Sequence, residues 1–138
     1  MMTETEDIEL ISENLKRYRL HQGKIIVFEP TGVNRATVDA WHDSTVESAR
    51  NCPAAEPYHE LHDLRKTSLT PYSRQRAFEL VQSLGDRLGR SAIVIEASYA
   101  GNLIGFFVSN IFSRIPKNRP RRVFTDFQQA VKWLEEAI

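Results

Sequence analysis

The chain has few of the residues that build covalent or metal-bound frameworks, and it has no excess of one charge. Cys52 is the only cysteine among 138 residues, so neither an intrachain disulfide nor a cysteine-rich zinc site can form. Its 18 basic residues are balanced by 18 acidic ones, whereas nucleic-acid-binding proteins usually carry a basic excess. The composition therefore excludes a disulfide scaffold, fits a reducing compartment and argues against nucleic-acid binding.

Long hydrophobic runs and a basic amino-terminal head are also missing. A membrane-spanning helix needs about 20 predominantly apolar residues, but the uncharged segment 97–113 is interrupted by serine, glycine and asparagine. Residues 1–13 are acidic, the opposite of a signal peptide. We therefore expect a cytoplasmic protein without a membrane span, in which a flexible acidic segment over residues 1–13 precedes a single domain over residues 14–138.

What is present is an alternation of strand and helix patterns. Residues 25–28 and 92–95 are continuous apolar runs, typical of strands that are covered on both faces. Together with a hairpin before the first run, the pattern predicts the order ββαβαβαβα. This is an α/β domain in which a mixed, mostly parallel sheet of four to five strands packs against about four helices. We expect Val27 and Val94 to lie buried in neighbouring central strands.

Local signals place the helix ends. Thr70 and Pro71 have the residue types of an N-cap and a first helical position, and Gly89 is a candidate for the end of that helix, with Leu88 as its last buried residue. Thr125 and Gln128 have the spacing of a capping box at the last helix. Two further helices are predicted over residues 34–50 and 102–115.

Ligands of such sheets bind beyond the carboxyl ends of the strands. Asp63 ends a strand with unusually polar content, and the loop and helix start that follow contain Ser68, Thr70 and Ser73. These four residues are the candidate binding loop, although loop and helix caps explain the same residue types. Within the polar strand, His59 and His62 alternate between faces, so we interpret them as hydrogen-bonded strand residues and predict no metal site.

The third predicted helix carries more apolar surface than one buried face requires. If Ile104, Val108 and Ile111 face the core, then Leu103 and Phe106 lie on the outer side. Two adjacent apolar residues on an outer face favour a partner contact or a homodimer contact, with incidental exposure as the alternative. The basic residues between 114 and 122 are interpreted as solvated loop residues near the end of a helix.

The order of elements and several local motifs resemble the STAS family, which includes anti-sigma-factor antagonists and the cytoplasmic domains of sulfate transporters. The resemblance lies in the hairpin before residues 25–28, the strand end at His62-Asp63-Leu64, the helix start at Thr70-Pro71 and the segment Val123-Phe124-Thr125-Asp126. It implies a STAS-like fold that binds a protein partner. Antagonists of the family carry an Asp-Ser-Ser-Gly-like box whose serine is phosphorylated, but residues 68–75 lack its acidic residue and its glycine.

Three classes of function remain open. The first is a non-enzymatic, regulatory protein-interaction module that resembles the antagonists but has no evident phosphoserine box. The second is a binder or sensor of a small apolar ligand such as a lipid, which the apolar third helix could line. An enzyme is the third, but the sequence has no Gly-x-Ser-x-Gly motif and no phosphate-loop lysine. We therefore predict binding without catalysis and without a cofactor.

Overall fold

The computed structural model describes residues 6–84, 86–114 and 119–138, and within them six strands and four helices follow one another. In chain order they are β1 Glu6–Ser12, β2 Leu15–Leu20, β3 Ile25–Pro30, α1 Arg35–Asn51, β4 His59–Asp63, α2 Pro71–Ser83, β5 Ser91–Val94, α3 Tyr99–Phe112, β6 Arg121–Phe124 and α4 Phe127–Glu135. None of these helices has the length and apolar character needed to cross a bilayer. The predicted alternation is confirmed, with one strand more than expected at the start.

The six strands form one sheet in the order β1-β2-β3-β4-β5-β6. The pairs β1–β2 and β2–β3 are antiparallel, while β3–β4, β4–β5 and β5–β6 are parallel. The predicted mixed, mostly parallel sheet is therefore confirmed. Its hairpin turn at residues 21–24 has three consecutive residues at positive φ, of which Gly23 at 82° adopts this conformation most easily.

The additional strand corrects the predicted domain boundary. Residues 6–12 were expected in a flexible segment outside the domain, but they form the edge strand β1. Backbone pairing with β2 holds this strand, and its Glu9 carboxylate accepts a hydrogen bond of 2.8 Å from Arg17. Ile8 and Leu10 remain 66% and 65% exposed. An edge strand can be held by backbone hydrogen bonds to its neighbour. Its sequence therefore need not show a buried apolar pattern, and residues 6–12 show none.

The helices cover the two faces of the sheet unequally. The parallel strands follow one another in one direction across the sheet, so right-handed crossovers place α1, α2 and α3 on the same face. Since α4 follows the last strand, it packs on the opposite face, where Ala130, Val131 and Leu134 join the core. Strand side chains alternate accordingly, with Val27 facing α4 and Phe28 facing α1.

One predicted neighbour relation is wrong. Val27 and Val94 are both fully buried, as expected. They lie in β3 and β5, however, and β4 runs between those strands, with Leu61 in register with Val27 and Asp63 with Val94. The prediction followed from the two apolar runs alone and did not place β4 between them. The structure instead puts the polar strand at the centre of the parallel sheet.

The predicted ends of α2 and α3 also need correction. Helix α2 ends at Ser83 rather than near Leu88, which is 53% exposed. Gly89, at φ 111°, lies in the following loop, where a Cβ atom would come within 2.2 Å of the Tyr58 carbonyl oxygen. Helix α3 begins at Tyr99, and its cap is Ser98, whose hydroxyl accepts a hydrogen bond of 3.1 Å from the Gly101 backbone. The predicted carboxyl end of α3, at residue 115, lies outside the described residues.

Helix α4 begins one residue later than the predicted capping box requires. Asp126, not Thr125, is its N-cap, and the Asp126 carboxylate accepts a hydrogen bond of 3.0 Å from the Gln129 backbone. Both residues are exposed and both types cap helices well, so sequence alone could not separate them.

Candidate functional site

The start of α2 is capped as the sequence predicts. The Thr70 hydroxyl accepts a hydrogen bond of 3.1 Å from the Ser73 backbone, and the Ser73 hydroxyl accepts one of 2.8 Å from the Thr70 backbone. Pro71 occupies the first helical position. Both side chains therefore satisfy backbone groups that the helix start would otherwise leave unpaired.

Asp63 closes the loop that follows β4. Its buried carboxylate accepts two hydrogen bonds from the Arg65 guanidinium, of 2.9 and 2.8 Å, and one of 3.3 Å from the Arg65 backbone. Ser68, further along this loop, is exposed. The described hydrogen bonds join Thr70 with Ser73 but connect neither of them with Asp63. The candidate binding loop is thus a set of local caps at one edge of the sheet.

Tyr72 and Arg35 anchor the start of α2 to α1. The Tyr72 hydroxyl donates a hydrogen bond to the Asp39 carboxylate, which raises the pKa of that phenol. The Arg35 guanidinium lies 4.2 Å from the centre of the Tyr72 ring. Tyr72 lies in residues 68–75, the stretch that corresponds in position to the phosphoserine box of the STAS-family antagonists, and in this chain that stretch holds two helices together.

The face of β4 toward α1 and α2 carries a buried polar network around Glu60. Its Oε1 atom accepts a hydrogen bond of 3.0 Å from the Ser91 hydroxyl and lies 3.3 Å from Nη2 of Arg119. Burial acts to raise the pKa of Glu60, but His62 and Arg119 beside the carboxylate and the hydrogen bond from Ser91 outweigh it and hold the pKa well below the ordinary range. Glu60 is therefore an ionised carboxylate inside the domain.

His62 connects this carboxylate to α1. Trp41 donates a hydrogen bond of 3.0 Å from Nε1 to Nδ1 of His62, so Nδ1 carries no proton. The other nitrogen, Nε2, then carries the proton and lies 3.2 Å from Oε2 of Glu60. The His62 ring also stacks on Phe28, with ring centres 5.3 Å apart. These contacts fix both the tautomer and the orientation of the ring.

Arg119 corrects the interpretation of the basic cluster as a solvated loop. It is only 2% exposed, and its Nη1 donates hydrogen bonds to the carbonyl oxygens of Tyr58, Arg87 and Leu88. Sequence analysis missed this residue because five basic residues follow one another closely. The one available signal was Glu60, since a carboxylate in a central strand requires a buried partner.

Two adjoining cavities lie between the sheet and the helices α1, α2 and α3. Each has a volume of about 60 Å³, and Trp41, Leu64, Ala77 and Val108 line both. The first extends toward the start of α2, where its lining includes Leu69, Phe107 and the candidate residues Ser68 and Ser73. The polar lining of the second consists of Glu60, His62, Ser91, Arg119 and Arg121. The two cavities together therefore have a mainly apolar lining near the start of α2 and a charged lining at the other end.

The outer side of α3 presents apolar side chains to solvent. Phe106 is 76% exposed, Leu103 is 48% exposed and Tyr99 is 82% exposed. Their spacing of four and three residues places them on one stripe of the helix. As predicted, Ile104, Val108 and Ile111 are buried on the inner side.

A groove beside this stripe separates α3 from α2. Phe107 and Asn110 line it from α3, and Pro71, Arg74 and Phe78 line it from α2. Arg114 lies at its far end. Among the described residues that line the groove, two are arginines and none is acidic. This face is therefore apolar with a positive border.

Comparison with known proteins identifies the fold. No family model matches the chain, and no curated protein matches it. A solved structure from Shewanella loihica PV-4, an uncharacterised protein of the DUF3478 family with a SpoIIAA-like fold, has a TM-score of 0.58. The match is 14% identical and covers 97% of this chain and 96% of the other. The chain therefore has the SpoIIAA-like, or STAS-like, fold that its sequence resembles.

Proposed function

We propose that this protein is a non-enzymatic interaction module that binds a protein partner through the outer face of α3. The observation that carries the proposal is the exposed stripe of Tyr99, Leu103 and Phe106. Large apolar side chains grouped on one exposed face mark interaction sites more often than single ones do. The fold supports the proposal through its resemblance to anti-sigma-factor antagonists, which act by binding.

The chemistry of the groove defines the partner. Phe78 and Phe107 offer apolar contacts, while Arg74 and Arg114 place positive charge along the border. A segment with apolar side chains flanked by acidic ones complements both features. The partner is therefore a protein segment of that composition. Whether a second copy of this chain occupies the face instead is tested by sedimentation.

Control by phosphorylation at the start of α2 is not part of the proposal. The hydroxyls of Thr70 and Ser73 are occupied in the capping box, and Ser68 lacks the acidic and glycine neighbours of the family's box. We expect these three residues to remain unmodified in the native protein, as intact-mass measurement can establish. Stoichiometric phosphate on any of them would mean that this chain has retained the phosphorylation control of the antagonists.

A photo-crosslinking amino acid at Phe106 tests the interface. The crosslinked protein is identified, purified and titrated against the wild type, Phe106→Asp and Ile8→Asp. Ile8 is also exposed but lies on β1, at the opposite edge of the sheet. Hot-spot aromatics contribute about 2 kcal/mol or more, so Phe106→Asp should weaken binding at least about thirtyfold, and Ile8→Asp should not.

Equal affinities for the three proteins would overturn the proposed surface, as would a Phe106 crosslinker variant that captures no protein. Sedimentation of wild type and Phe106→Asp tests self-association. If both sediment as monomers at high concentration and melt at the same temperature, a homodimer is excluded and only a different partner can occupy the face.

A second candidate function is the binding of a small apolar ligand. The two adjoining cavities favour it, because their shared lining of Trp41, Leu64, Ala77 and Val108 is almost wholly apolar. A dry apolar cavity of about 150 Å³ can hold benzene, and the paired cavities together are smaller than that, so a molecule of benzene size would already have to widen them. A lipid chain would require α2 and α3 to move apart. Native mass spectrometry of the purified protein tests for a retained molecule.

A further inference from the structure

We propose that the partner segment at the outer face of α3 is anchored by one aliphatic side chain, of about the size of leucine, which enters the first cavity at the start of α2. This inference rests on the proposed interaction module and specifies how its partner is recognised. It also gives the first cavity an occupant that fits, since a free molecule of benzene size would have to widen it.

The first cavity lies directly beside the groove between α2 and α3. Leu69 and Phe107 line both spaces, and each of these side chains is half-buried. They therefore form the wall between the cavity and the groove. The cavity is partly open, and side chains that reach the surface change rotamer rapidly. A segment that lies in the groove can therefore pass one side chain across this wall.

The volume of the first cavity matches a single side chain. It measures about 60 Å³, and one water-sized group takes up roughly 10–15 Å³ of such a volume. The cavity therefore holds about four to six groups of that size. The carbon atoms of a leucine side chain fit this space, whereas an aromatic ring is too large for it.

The side-chain donors that line this cavity already have partners, with one exception at the surface. The hydroxyls of Thr37, Thr67 and Ser73 donate hydrogen bonds to nearby oxygen atoms, and the Trp41 indole N–H is also bonded. The exception, Ser68, is exposed. A polar side chain that entered would lose its hydrogen bonds to water without replacement, which is costly. The anchor is therefore aliphatic.

Two arginines select the residues beside the anchor. Arg74 lines both halves of the groove, and Arg114 lines its far end. Neither guanidinium forms an ion pair with a described residue. Acidic side chains that follow the anchor along the groove would pair with them. The recognised segment is therefore an aliphatic anchor followed by acidic residues.

Xenon, which binds in dry apolar cavities, tests whether the first cavity is open to an occupant. Ile104 lines the first cavity but not the second, and the Trp133 indole, on the opposite face of the sheet, is the reference. We expect xenon to shift the Ile104 methyl resonances and to leave Trp133 unchanged. Ala77→Leu fills the cavity from α2 and should abolish the shift. Gln82→Leu adds the same side chain at an exposed position of α2 and should not.

The protein that the crosslinker at Phe106 captures then tests the anchor itself. At saturation it should abolish the xenon shift of Ile104, because the anchor occupies the space. Ala77→Leu should weaken its binding at least about tenfold, since the anchor can no longer be buried. Gln82→Leu should bind as tightly as the wild type. Ala77 lines the cavity but not the groove, so this substitution leaves the outer surface unchanged.

The outcomes separate this inference from the function on which it rests. If Phe106→Asp weakens binding, but Ala77→Leu does not or xenon still enters the complex, the binding face stands and the anchor is overturned. Equal binding to the wild type and Phe106→Asp would overturn both. A free wild type without a xenon shift at Ile104 would mean that the cavity is closed, which also overturns the inference. If Ala77→Leu does not fold, the exclusion of xenon from the wild-type complex decides the question.

Discussion

Arg119 and Glu60 form a buried ion pair in which Nη2 of the arginine lies 3.3 Å from Oε1 of the carboxylate. Glu60 lies in the central strand β4, while Arg119 precedes the edge strand β6. The other guanidinium nitrogen, Nη1, binds backbone carbonyls of Tyr58, Arg87 and Leu88. One side chain thus neutralises the central carboxylate and also ties two loops to the amino end of the sheet.

Removing Arg119 should therefore destabilise the fold strongly. Arg119→Met leaves Glu60 buried and unpaired, which typically costs about 3–5 kcal/mol. Urea denaturation measures the free energy of unfolding, and the exposed Arg114→Met should change it by less than about 0.5 kcal/mol. The double variant Glu60→Gln/Arg119→Met should recover part of the loss. If the double variant is as unstable as the sum of the single ones, the two side chains are not coupled.

Stability should fall as the pH drops below neutrality, and His59 should account for part of that fall. His59 is buried, and its Nδ1 accepts a hydrogen bond of 3.0 Å from the Arg90 backbone. Burial, with the charges of Arg119 and Arg90, lowers its pKa below the ordinary 6.5. The unfolded chain thus binds the proton more readily, so the stabilisation is complete above about pH 6.5 and is lost as the pH falls below it.

The matched variant for this test is His59→Asn, which keeps an acceptor near Nδ1 but does not titrate. Between about pH 6.5 and pH 5 its free energy of unfolding should fall less steeply than that of the wild type. Parallel pH profiles for the two proteins would contradict the assignment. Glu60, whose pKa is also lowered, should produce a further loss below its ordinary value of 4.5 in both proteins.

The cap of α2 should have a measurable effect on stability. Thr70→Ala removes the hydroxyl that accepts a hydrogen bond from the Ser73 backbone, and the free energy of unfolding should decrease by about 1 kcal/mol. Ser68→Ala, in the exposed loop two residues earlier, should change it by less than about 0.5 kcal/mol. Thermal denaturation of both variants measures the difference. Equal melting temperatures would show that the cap contributes little.

Position 101 should tolerate no side chain, whereas position 105 on the same helix should tolerate an alanine. A Cβ atom at Gly101 would lie 1.8 Å from the backbone oxygen of Glu96, so Gly101→Ala should cost at least about 2 kcal/mol. At Gly105 the nearest atom is the end of the Ile95 side chain, at 2.8 Å, which can move. Alanine also favours a helix by about 1 kcal/mol. A smaller loss for Gly101→Ala than for Gly105→Ala would refute the packing argument.

Much of the fold could be predicted from local patterns. The apolar runs became β3 and β5, the Thr70-Pro71 signal became the start of α2, and helical spacing placed Leu103 and Phe106 outside the core. These features depend on contacts between residues close in sequence. Where two neighbours could serve the same role, as with Thr125 and Asp126 at α4, the pattern was ambiguous and the predicted cap was wrong.

The candidate site was predicted less completely. Asp63, Ser68, Thr70 and Ser73 lie near the carboxyl edge of the sheet, as expected, but the bonds that the structure describes for Asp63, Thr70 and Ser73 are local ones. The sequence indicated that β4 is polar. It predicted neither the place of β4 at the centre of the parallel sheet nor its partner Arg119. Both depend on residues that are far apart in the chain.

The sequence by itself determined the alternation of strands and helices, the cap of α2 and the faces of the helices, because periodicity and capping act within a few turns. Only the tertiary structure decided that β4 separates β3 from β5, that Arg119 neutralises Glu60, and that α2 and α3 leave paired cavities above the sheet. These features arise when distant segments are brought side by side, and the pairing of buried charges then follows from the high cost of leaving either one alone.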